Sequence, residues 1–188
     1  MKRQKMKILN LKRNKLYLED NEIIDVSPDI IYEMKLSGKE ELSIEEYKRV
    51  VYLAALSKSY YLLSRRDHTS KELEKKLRMK FREKEIIKIV ISVIEEKGYI
   101  DDYSYAKSFI EKSKEGRKKI EYDLRLRGIN SEIIREAFEE EGNKEVPKIK
   151  RLLHKISGKP YDKKINYLLR KGFDYENIKR ALNNEDEE

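Results

Sequence analysis

Hydrophobic and polar residues follow two different periods along this chain, and the change comes at Ser43. From Ser43 onward, apolar residues recur every three or four positions, which is the spacing of one face of an α-helix. The first helix of this region carries two apolar stripes, one through Tyr47 and Val50 and the other through Leu53 and Leu56. Because a helix that is apolar on two sides is covered on two sides, we expect it to pack against its own unit and against the N-terminal segment.

The first forty residues show the shorter period. Apolar and polar residues alternate over 7–12 and 15–19, and Arg13-Asn14 between them can form a turn. Asp20-Asn21 is a second turn candidate and leads into a third alternating stretch, 22–26. This pattern predicts a small β-meander of two or three strands.

Capping residues mark the starts of the first two helices. Ser27-Pro28 has the residue types of an N-cap and a proline at the first helical position, and predicts a short helix over 29–35 that Gly38 ends. Ser43 followed by Glu46 has the spacing of a capping box.

Three later segments repeat one another when they are aligned at Lys80, Gly128 and Gly172. Each segment reads as a basic helix, a tight turn with an apolar residue, and a second helix. The two glycines suit the left-handed position that ends a helix, and Lys80 departs from that pattern. A further helix precedes each segment, over 45–65, 102–114 and 144–156 respectively.

The fold class that follows is mainly α, with three tandem three-helix repeats in an elongated array after a small β-rich N-terminal extension. A hydrophobic fraction of 38% and a charged fraction of 43% also favour a thin helical array over one large core. The predicted boundaries are residues 1–42 for the extension with its short helix, 43–100, 101–142 and 143–184 for the three repeats, and 185–188 for an acidic tail.

Two adjacent carboxylates, Asp101 and Asp102, follow the Gly98-Tyr99-Ile100 turn and could be a catalytic or metal-binding pair. Gly98 sits where a helix ends, Asp101 sits where the next helix has its N-cap, and Asp102 falls in the first turn, where a negative charge is favourable. No other ligand or base lies nearby in the sequence. We therefore predict that Asp101 caps a helix.

Other candidate chemistry is sparse. His68 lies in a turn whose Thr69 or Ser70 can cap the next helix, so a structural role is favoured over a catalytic one. The sequence has no glycine-rich phosphate loop, no metal-ligand spacing and no nucleophile elbow. We expect no catalytic residues, no cofactor and no metal. An enzyme that uses Asp101, Asp102 or His68 stays open as an alternative.

The overall charge indicates the kind of partner. A net charge of +8 favours a polyanion or a partner with an acidic groove. The chain has no cysteine, which excludes disulfides and thiolate metal sites. The basic N-terminus lacks the apolar region of a signal peptide, and the longest apolar run, 50–56, is too short to span a bilayer. We expect a monomeric cytoplasmic protein that does not contact membranes.

The positive charge recurs on the basic helix of each repeat. It forms either three solvated faces or one basic stripe that follows a filament or a nucleic acid. The candidate contact residues are Lys71, Lys75, Lys76 and Arg78 on the first helix, Arg117, Lys118, Lys119, Arg125 and Arg127 on the second, and Lys163, Lys164, Arg170 and Lys171 on the third.

Three motifs in this order resemble those of the RecX family. The segment from Arg66 to Leu77, RDHTSKELEKKL, resembles the first-repeat signature of that family. The Gly98-Tyr99-Ile100-Asp101-Asp102 run, followed by Tyr105-Ala106, resembles its second hallmark, and RKKI at 117–120 leading to Arg127-Gly128-Ile129 resembles its third. The resemblance covers about residues 52–138, is weaker in the last repeat, and extends to the β-rich N-terminus of the longer members.

The resemblance implies a bacterial regulator and not an enzyme. Proteins of the RecX family bind the RecA recombinase and its filament on single-stranded DNA. They modulate filament assembly, ATPase, strand exchange and co-protease activity in recombination and SOS repair, usually as inhibitors. We expect the repeats to contact successive protomers or the bound DNA, and reversal of Arg125, Arg127 and Lys171 to glutamate to abolish binding without loss of helix. The alternative is a stand-alone nucleic-acid-binding module without a recombinase target.

Overall fold

A four-stranded antiparallel sheet forms the N-terminal part of the protein. The computed structural model describes residues 5–142 and 144–183, so the predicted acidic tail at 185–188 lies outside the described residues. The chain divides into two units between Ile100 and Asp101. The strands lie in the order β3-β2-β1-β4. Their bounds are β1 Lys5–Lys12, β2 Lys15–Leu18, β3 Ile23–Asp25 and β4 Glu41–Ser43.

Both predicted turns of the sheet are confirmed. Arg13 and Asn14 have φ of 51° and 61° between β1 and β2, and Asn21 has φ of 62° before β3. Between β1 and β2, this left-handed conformation is the one that a two-residue hairpin turn requires. The fourth strand was not predicted, because three residues with one apolar side chain, Leu42, are too few to show alternation.

The short helix α1, Pro28–Glu33, begins as predicted and ends differently. The Ser27 hydroxyl accepts a hydrogen bond from the Ile30 amide, and Pro28 is the first helical residue. The prediction that Gly38 ends this helix is wrong. Lys35 takes the left-handed conformation at φ 49°, and the amide of the next residue, Leu36, returns to the Ile31 carbonyl. A lysine therefore occupies the position at which a glycine is usual.

The first unit continues with three helices. They are α2 Ile44–Leu63, α3 Ser70–Arg78 and α4 Lys84–Glu96. The capping box of Ser43 and Glu46 is present, with both hydrogen bonds formed. One hydrophobic core holds residues of the sheet together with residues of all three helices. The expectation that α2 packs on two sides is confirmed, because it contacts α3 and α4 as well as the strands.

The second unit is entirely helical within its described residues. Its helices are α5 Asp102–Lys112, α6 Arg117–Leu126, α7 Ser131–Glu141, α8 Glu145–Lys155, α9 Tyr161–Arg170 and α10 Tyr175–Asn183. One hydrophobic cluster lies among α5, α6 and α7, and a second lies among α8, α9 and α10. The predicted fold class, mainly helical with a small β-rich N-terminal segment, is confirmed. The exact boundaries of the three repeats stay a prediction.

Three helices end in the way that their glycines predict. Gly98, Gly128 and Gly172 have φ of 71°, 82° and 81°. At each, the glycine amide and the amide of the next residue return to carbonyls of the preceding helix, as for Gly128 to Arg125 and Ile129 to Leu124. This pair of backbone hydrogen bonds is a Schellman motif. No described helix is both long and apolar enough to cross a bilayer.

Candidate functional site

The basic residues of α3 divide into paired and unpaired side chains. The ammonium of Lys71 and the guanidinium of Arg78 both donate to the Glu74 carboxylate, at 2.9 Å and 2.8 Å. The hydrogen bond from Lys71 is the main reason that the pKa of Glu74 is lowered. Lys75 and Lys76 are exposed and form no ion pair within residues 5–142 and 144–183.

The two lysines in the first turn of α6 form ion pairs within the second unit. Lys118 forms an ion pair with Asp174, the residue before α10, at 3.1 Å. Lys119 donates to Asp123 one turn later at 2.7 Å, and this hydrogen bond raises the pKa of Lys119. Both lysines are predicted contact residues. A partner must compete with these carboxylates for them.

The arginines of α6 are also engaged. Arg117 donates to Glu121 at 2.7 Å, and its guanidinium lies 4.6 Å from the centre of the Phe138 ring. Glu121 also faces Arg125 at 3.9 Å, the limit of an ion pair, and the Arg125 side chain stays 60% exposed.

Arg127 and Lys171 contribute to packing within the unit. The Arg127 guanidinium lies 5.3 Å from the centre of the Phe109 ring. Lys171 donates to Glu115 at 2.7 Å, and this hydrogen bond raises the pKa of its ammonium. The Lys171 side chain is only 22% exposed. Reversal of either charge would therefore disturb internal contacts, which makes the glutamate triple variant a poor test of binding alone.

An apolar stripe on α6 was not singled out from the sequence. Tyr122 is 56% exposed and Leu126 is 69% exposed, and the two lie one turn apart on the same side of the helix. Arg125 lies beside them, and the Lys119 ammonium lies 5.0 Å from the centre of the Tyr122 ring. We call Tyr122, Arg125 and Leu126 the α6 stripe. Their apolar spacing could have been recognised, but nothing in the sequence shows that this side faces solvent.

The basic residues of α9 differ from those of α6. Lys163, Lys164 and Arg170 form no ion pair with any described residue, and Arg170 donates only to the Asn166 carbonyl, at 3.3 Å. A shallow groove of about 860 Å³ runs along this side of the helix. We call it the α9 groove. Its lining residues are Gly158, Lys159, Pro160, Lys163, Asn166, Tyr167, Leu169 and Arg170, and none of these described residues is acidic.

The two three-helix clusters of the second unit meet at the first turn of α6. The amides of Gly116 and Lys118 donate to the carbonyls of Lys171 and Gly172 at 2.8 Å and 3.1 Å. The sequence indicates that Gly172 ends a helix, but it does not indicate this contact. A contact between residues so far apart leaves no local pattern.

Glu145, at the start of α8, adds a carboxylate to the same place. It accepts hydrogen bonds from the Arg117 amide at 2.7 Å and from the Asn177 side-chain amide at 2.7 Å. It also accepts a long bond from the Asp174 amide at 3.4 Å. One carboxylate therefore caps the N-terminus of α6, which has no side-chain cap of its own. It also contacts the N-terminus of α10, which Asp174 caps by accepting from the Glu176 amide at 3.1 Å.

The candidate catalytic carboxylate caps a helix as predicted. Asp101 accepts hydrogen bonds from the Ser104 amide at 2.9 Å and from the Ser104 hydroxyl at 2.7 Å. The backbone bond is the main reason that the pKa of Asp101 is lowered. Asp102 lies in the first turn of α5. Among the described residues, no group of three or more acidic, histidine or cysteine side chains could hold a metal ion.

His68 is a buried part of the turn before α3. Its Nδ1 lies 2.9 Å from the Arg66 carbonyl oxygen, so that nitrogen is the donor. Burial lowers the pKa of His68, because a charged imidazolium would lose its water. Thr69 provides the predicted cap of α3 by accepting from the Glu72 amide at 3.1 Å.

Comparison with known proteins places this architecture in a family. Residues 55–92 match the family model described as RecX, first three-helix domain. The regulatory protein RecX of Caldanaerobacter subterraneus subsp. tengcongensis is 36% identical over 154 residues, which are 76% of this chain and 78% of that protein. The regulatory protein RecX of Clostridioides difficile is 30% identical over 198 residues, which cover 94% of this chain and 93% of that protein.

Two solved structures are similar as well. A crystal structure of RecX from Lactobacillus salivarius has a TM-score of 0.64 and 28% identity, and the match covers 72% of this chain and 97% of that one. A crystal structure of a regulatory protein RecX has a TM-score of 0.59 over 95% of this chain and 99% of that one, and at 19% identity it shows the fold alone. The chain belongs to the RecX family of regulatory proteins.

Proposed function

We propose that this chain binds the RecA recombinase on single-stranded DNA and inhibits it. The inhibited steps are filament assembly, ATPase, strand exchange and co-protease activity in recombination and SOS repair in the bacterial cytoplasm. Membership of the RecX family is the observation that carries this proposal. The chain acts by binding and not as an enzyme. Of the three residues considered for catalysis, Asp101 and His68 form hydrogen bonds that stabilise the local fold, and Asp102 lies in the first turn of α5.

The α6 stripe is the surface that we assign to the recombinase. Tyrosine and arginine are the residue types that contribute most to protein interfaces, and an exposed leucine beside them supplies apolar area. Tyr122, Arg125 and Leu126 bring these three types together on one helix face. The paired cations Lys118 and Lys119 at the start of α6 contribute less, because their carboxylate partners already neutralise them.

The ATPase of the cognate recombinase, stimulated by single-stranded DNA, tests the proposal. We expect strong suppression at well below one molecule of this protein per recombinase protomer, because a bound regulator that stops filament growth affects many protomers. An unchanged ATPase at equimolar protein contradicts the proposed function.

A pair of variants tests the assigned surface in the same assay. Replacement of Tyr122 and Leu126 by alanine should weaken inhibition at least about tenfold, the effect of losing interface residues of this kind. The control replaces Tyr32 and Met79 by alanine, since these side chains are 88% and 82% exposed in the first unit. If both variants inhibit like the parent protein, the α6 stripe is not the contact surface.

A stand-alone nucleic-acid-binding module is the second candidate. The unpaired cations of α9 favour it, because free lysines and arginines attract phosphates. It predicts tight, salt-dependent binding to bare DNA together with no effect on the recombinase ATPase. The proposed function predicts the ATPase effect whether or not bare DNA binds.

A further inference from the structure

We propose that the α9 groove binds the sugar–phosphate backbone of a single-stranded nucleic acid directly. This extends the proposed function, in which the chain acts on a protein filament, by adding a second surface that contacts the strand itself. The inference rests on the charges, the spacing and the lining of one groove in the second unit.

The charges of the groove are available to a ligand. Lys159, Lys163 and Arg170 are exposed, and none of them pairs with a carboxylate among the residues that the structure describes. In contrast, Lys118 and Lys119 on α6 each hold a carboxylate at 3.1 Å or less. A phosphate that binds at the groove separates no ion pair among the described residues, whereas one that binds at α6 must first separate one.

The spacing of the groove suits an extended anion. Lys163 and Arg170 are seven residues apart on one helix, so they lie on the same side and about 10 Å apart along the axis. Lys159 extends the line beyond the start of the helix, where its ammonium lies 5.3 Å from the centre of the Tyr167 ring. A compact anion such as free phosphate could reach one of these cations, while a polymer of phosphates can contact them all.

The apolar lining favours a single strand over a duplex. Tyr167, Pro160 and Leu169 line the groove between the cations. Unpaired bases offer faces that pack on such side chains, and proteins that bind single strands combine a basic groove with aromatic residues in this way. A duplex keeps its bases stacked inside and would leave this lining without a partner. Acidic residues are not among the described residues of the groove, which removes the main source of repulsion.

The test measures binding of the full-length chain to a fluorescent oligothymidylate by anisotropy, without any recombinase, at several salt concentrations. The test variant replaces Lys163 and Arg170 by alanine. The matched control replaces Arg49 and Lys88 by alanine, two half-exposed cations of the first unit that lie in ion pairs. Both variants lose two positive charges from the same total of +8. Circular dichroism checks that each variant keeps its helix content.

If the groove binds the strand, only the test variant should lose affinity for the oligonucleotide. Its affinity should fall about tenfold, and the slope of log K against log salt should become shallower by about 1.4, since each phosphate contact contributes about 0.7 for single strands. The control should keep the parent slope. An unchanged test variant, or an equal loss in the control, overturns the assignment, since binding would then follow net charge.

Competition separates nucleic acid from other polyanions. Polyglutamate of matched charge should displace the labelled oligonucleotide far less well than unlabelled oligothymidylate. Equal displacement shows a general anion site and overturns the assignment to a single strand. Because no recombinase is present, failure here leaves the ATPase test of the proposed function independent.

Discussion

The backbone amide of Gly116 donates a hydrogen bond to the carbonyl oxygen of Lys171 at 2.8 Å. The N-terminus of α6 is thereby placed directly against the C-terminus of α9. Amides at the start of one helix and carbonyls at the end of the other both lack partners within their own helices, and here they satisfy each other. The positive end of one helix dipole also faces the negative end of another.

Gly172 should not tolerate a side chain at this contact. A Cβ atom there would lie 2.4 Å from the Lys119 backbone nitrogen, and φ is +81°. We expect Gly172→Ala to destabilise the second unit by about 3 kcal/mol, from steric overlap together with left-handed strain. Hydrogen exchange is the measurement, because the amides of Gly116 and Lys118 should lose their protection.

Gly98→Ala is the matched control for this variant. Gly98 has a similar φ of +71°, but a Cβ atom there would meet nothing within 4 Å. This substitution should lower the free energy of unfolding only by the left-handed strain, about 1–2 kcal/mol. Equal costs for the two alanine variants, with Gly116 still protected, would show that the end-to-end contact is looser than the distances indicate.

Glu145 should contribute through its charge as well as its hydrogen bonds. Glu145→Gln keeps the shape of the side chain but removes the negative charge that faces the N-termini of α6 and α10. We expect a loss of about 1 kcal/mol in the free energy of unfolding, the usual size for charges at helix ends. Urea titration measures it. Glu139→Gln is the control, since that exposed side chain only approaches Arg135 at 3.8 Å, and it should be neutral.

Asp101 should stabilise α5 in a pH-dependent way. Asp101→Ala should cost about 1 kcal/mol near neutral pH, because the Ser104 amide loses its acceptor. The pKa of Asp101 is lowered in the folded state, so the stabilisation of its charge is complete above the unfolded pKa of about 3.9. It is lost as the pH falls through the lower folded value. The parent protein should have a larger free energy of unfolding than Asp101→Asn at neutral pH, and this difference should shrink on acidification. A difference that stays constant with pH would contradict this prediction.

His68 should destabilise the first unit as the pH falls. Burial lowers the pKa of His68 in the folded state, so the unfolded chain takes up a proton first, from its ordinary pKa of about 6.5 downward. The free energy of unfolding should therefore decrease as the pH falls through about 6.5, and His68→Gln should remove that decrease. His154 is exposed on α8, so His154→Gln should keep it. The same pH profile in both variants would assign the effect to other groups.

The sequence predicts the local features of this fold because each depends on near neighbours. Ser43 and Glu46 form a capping box three residues apart, and Gly128 ends α6 beside the residues that it terminates. Lys35 shows where such reasoning is wrong. The hydrogen bond that ends α1 could form around any residue that tolerates a left-handed conformation, and the nearby Gly38 was a misleading signal.

The sequence shows which residues of the candidate site are basic, but it does not show which of them are exposed and outside ion pairs. The thirteen cations fall on or directly after α3, α6 and α9. Several pair with a carboxylate one turn away, as Lys119 does with Asp123, and this spacing is visible in the sequence. Other pairs join residues that are far apart in the chain. Lys118 pairs with Asp174, the residue before α10, and Lys171 pairs with Glu115 from a distant loop. The contrast between paired α6 and unpaired α9 therefore required the structure, as did the exposure of Tyr122 and Leu126.

The end-to-end contact between α6 and α9 also has a kinetic consequence. Glu115 and Lys171 are 56 positions apart in the chain, whereas each three-helix cluster is built from nearer contacts that form early. We expect the clusters to form first and the glycine contact to close after the rate-limiting step. Substitutions at Gly116 or Gly172 should then leave the refolding rate nearly unchanged and accelerate unfolding. The contact thus governs the lifetime of the assembled unit and not the speed at which it assembles.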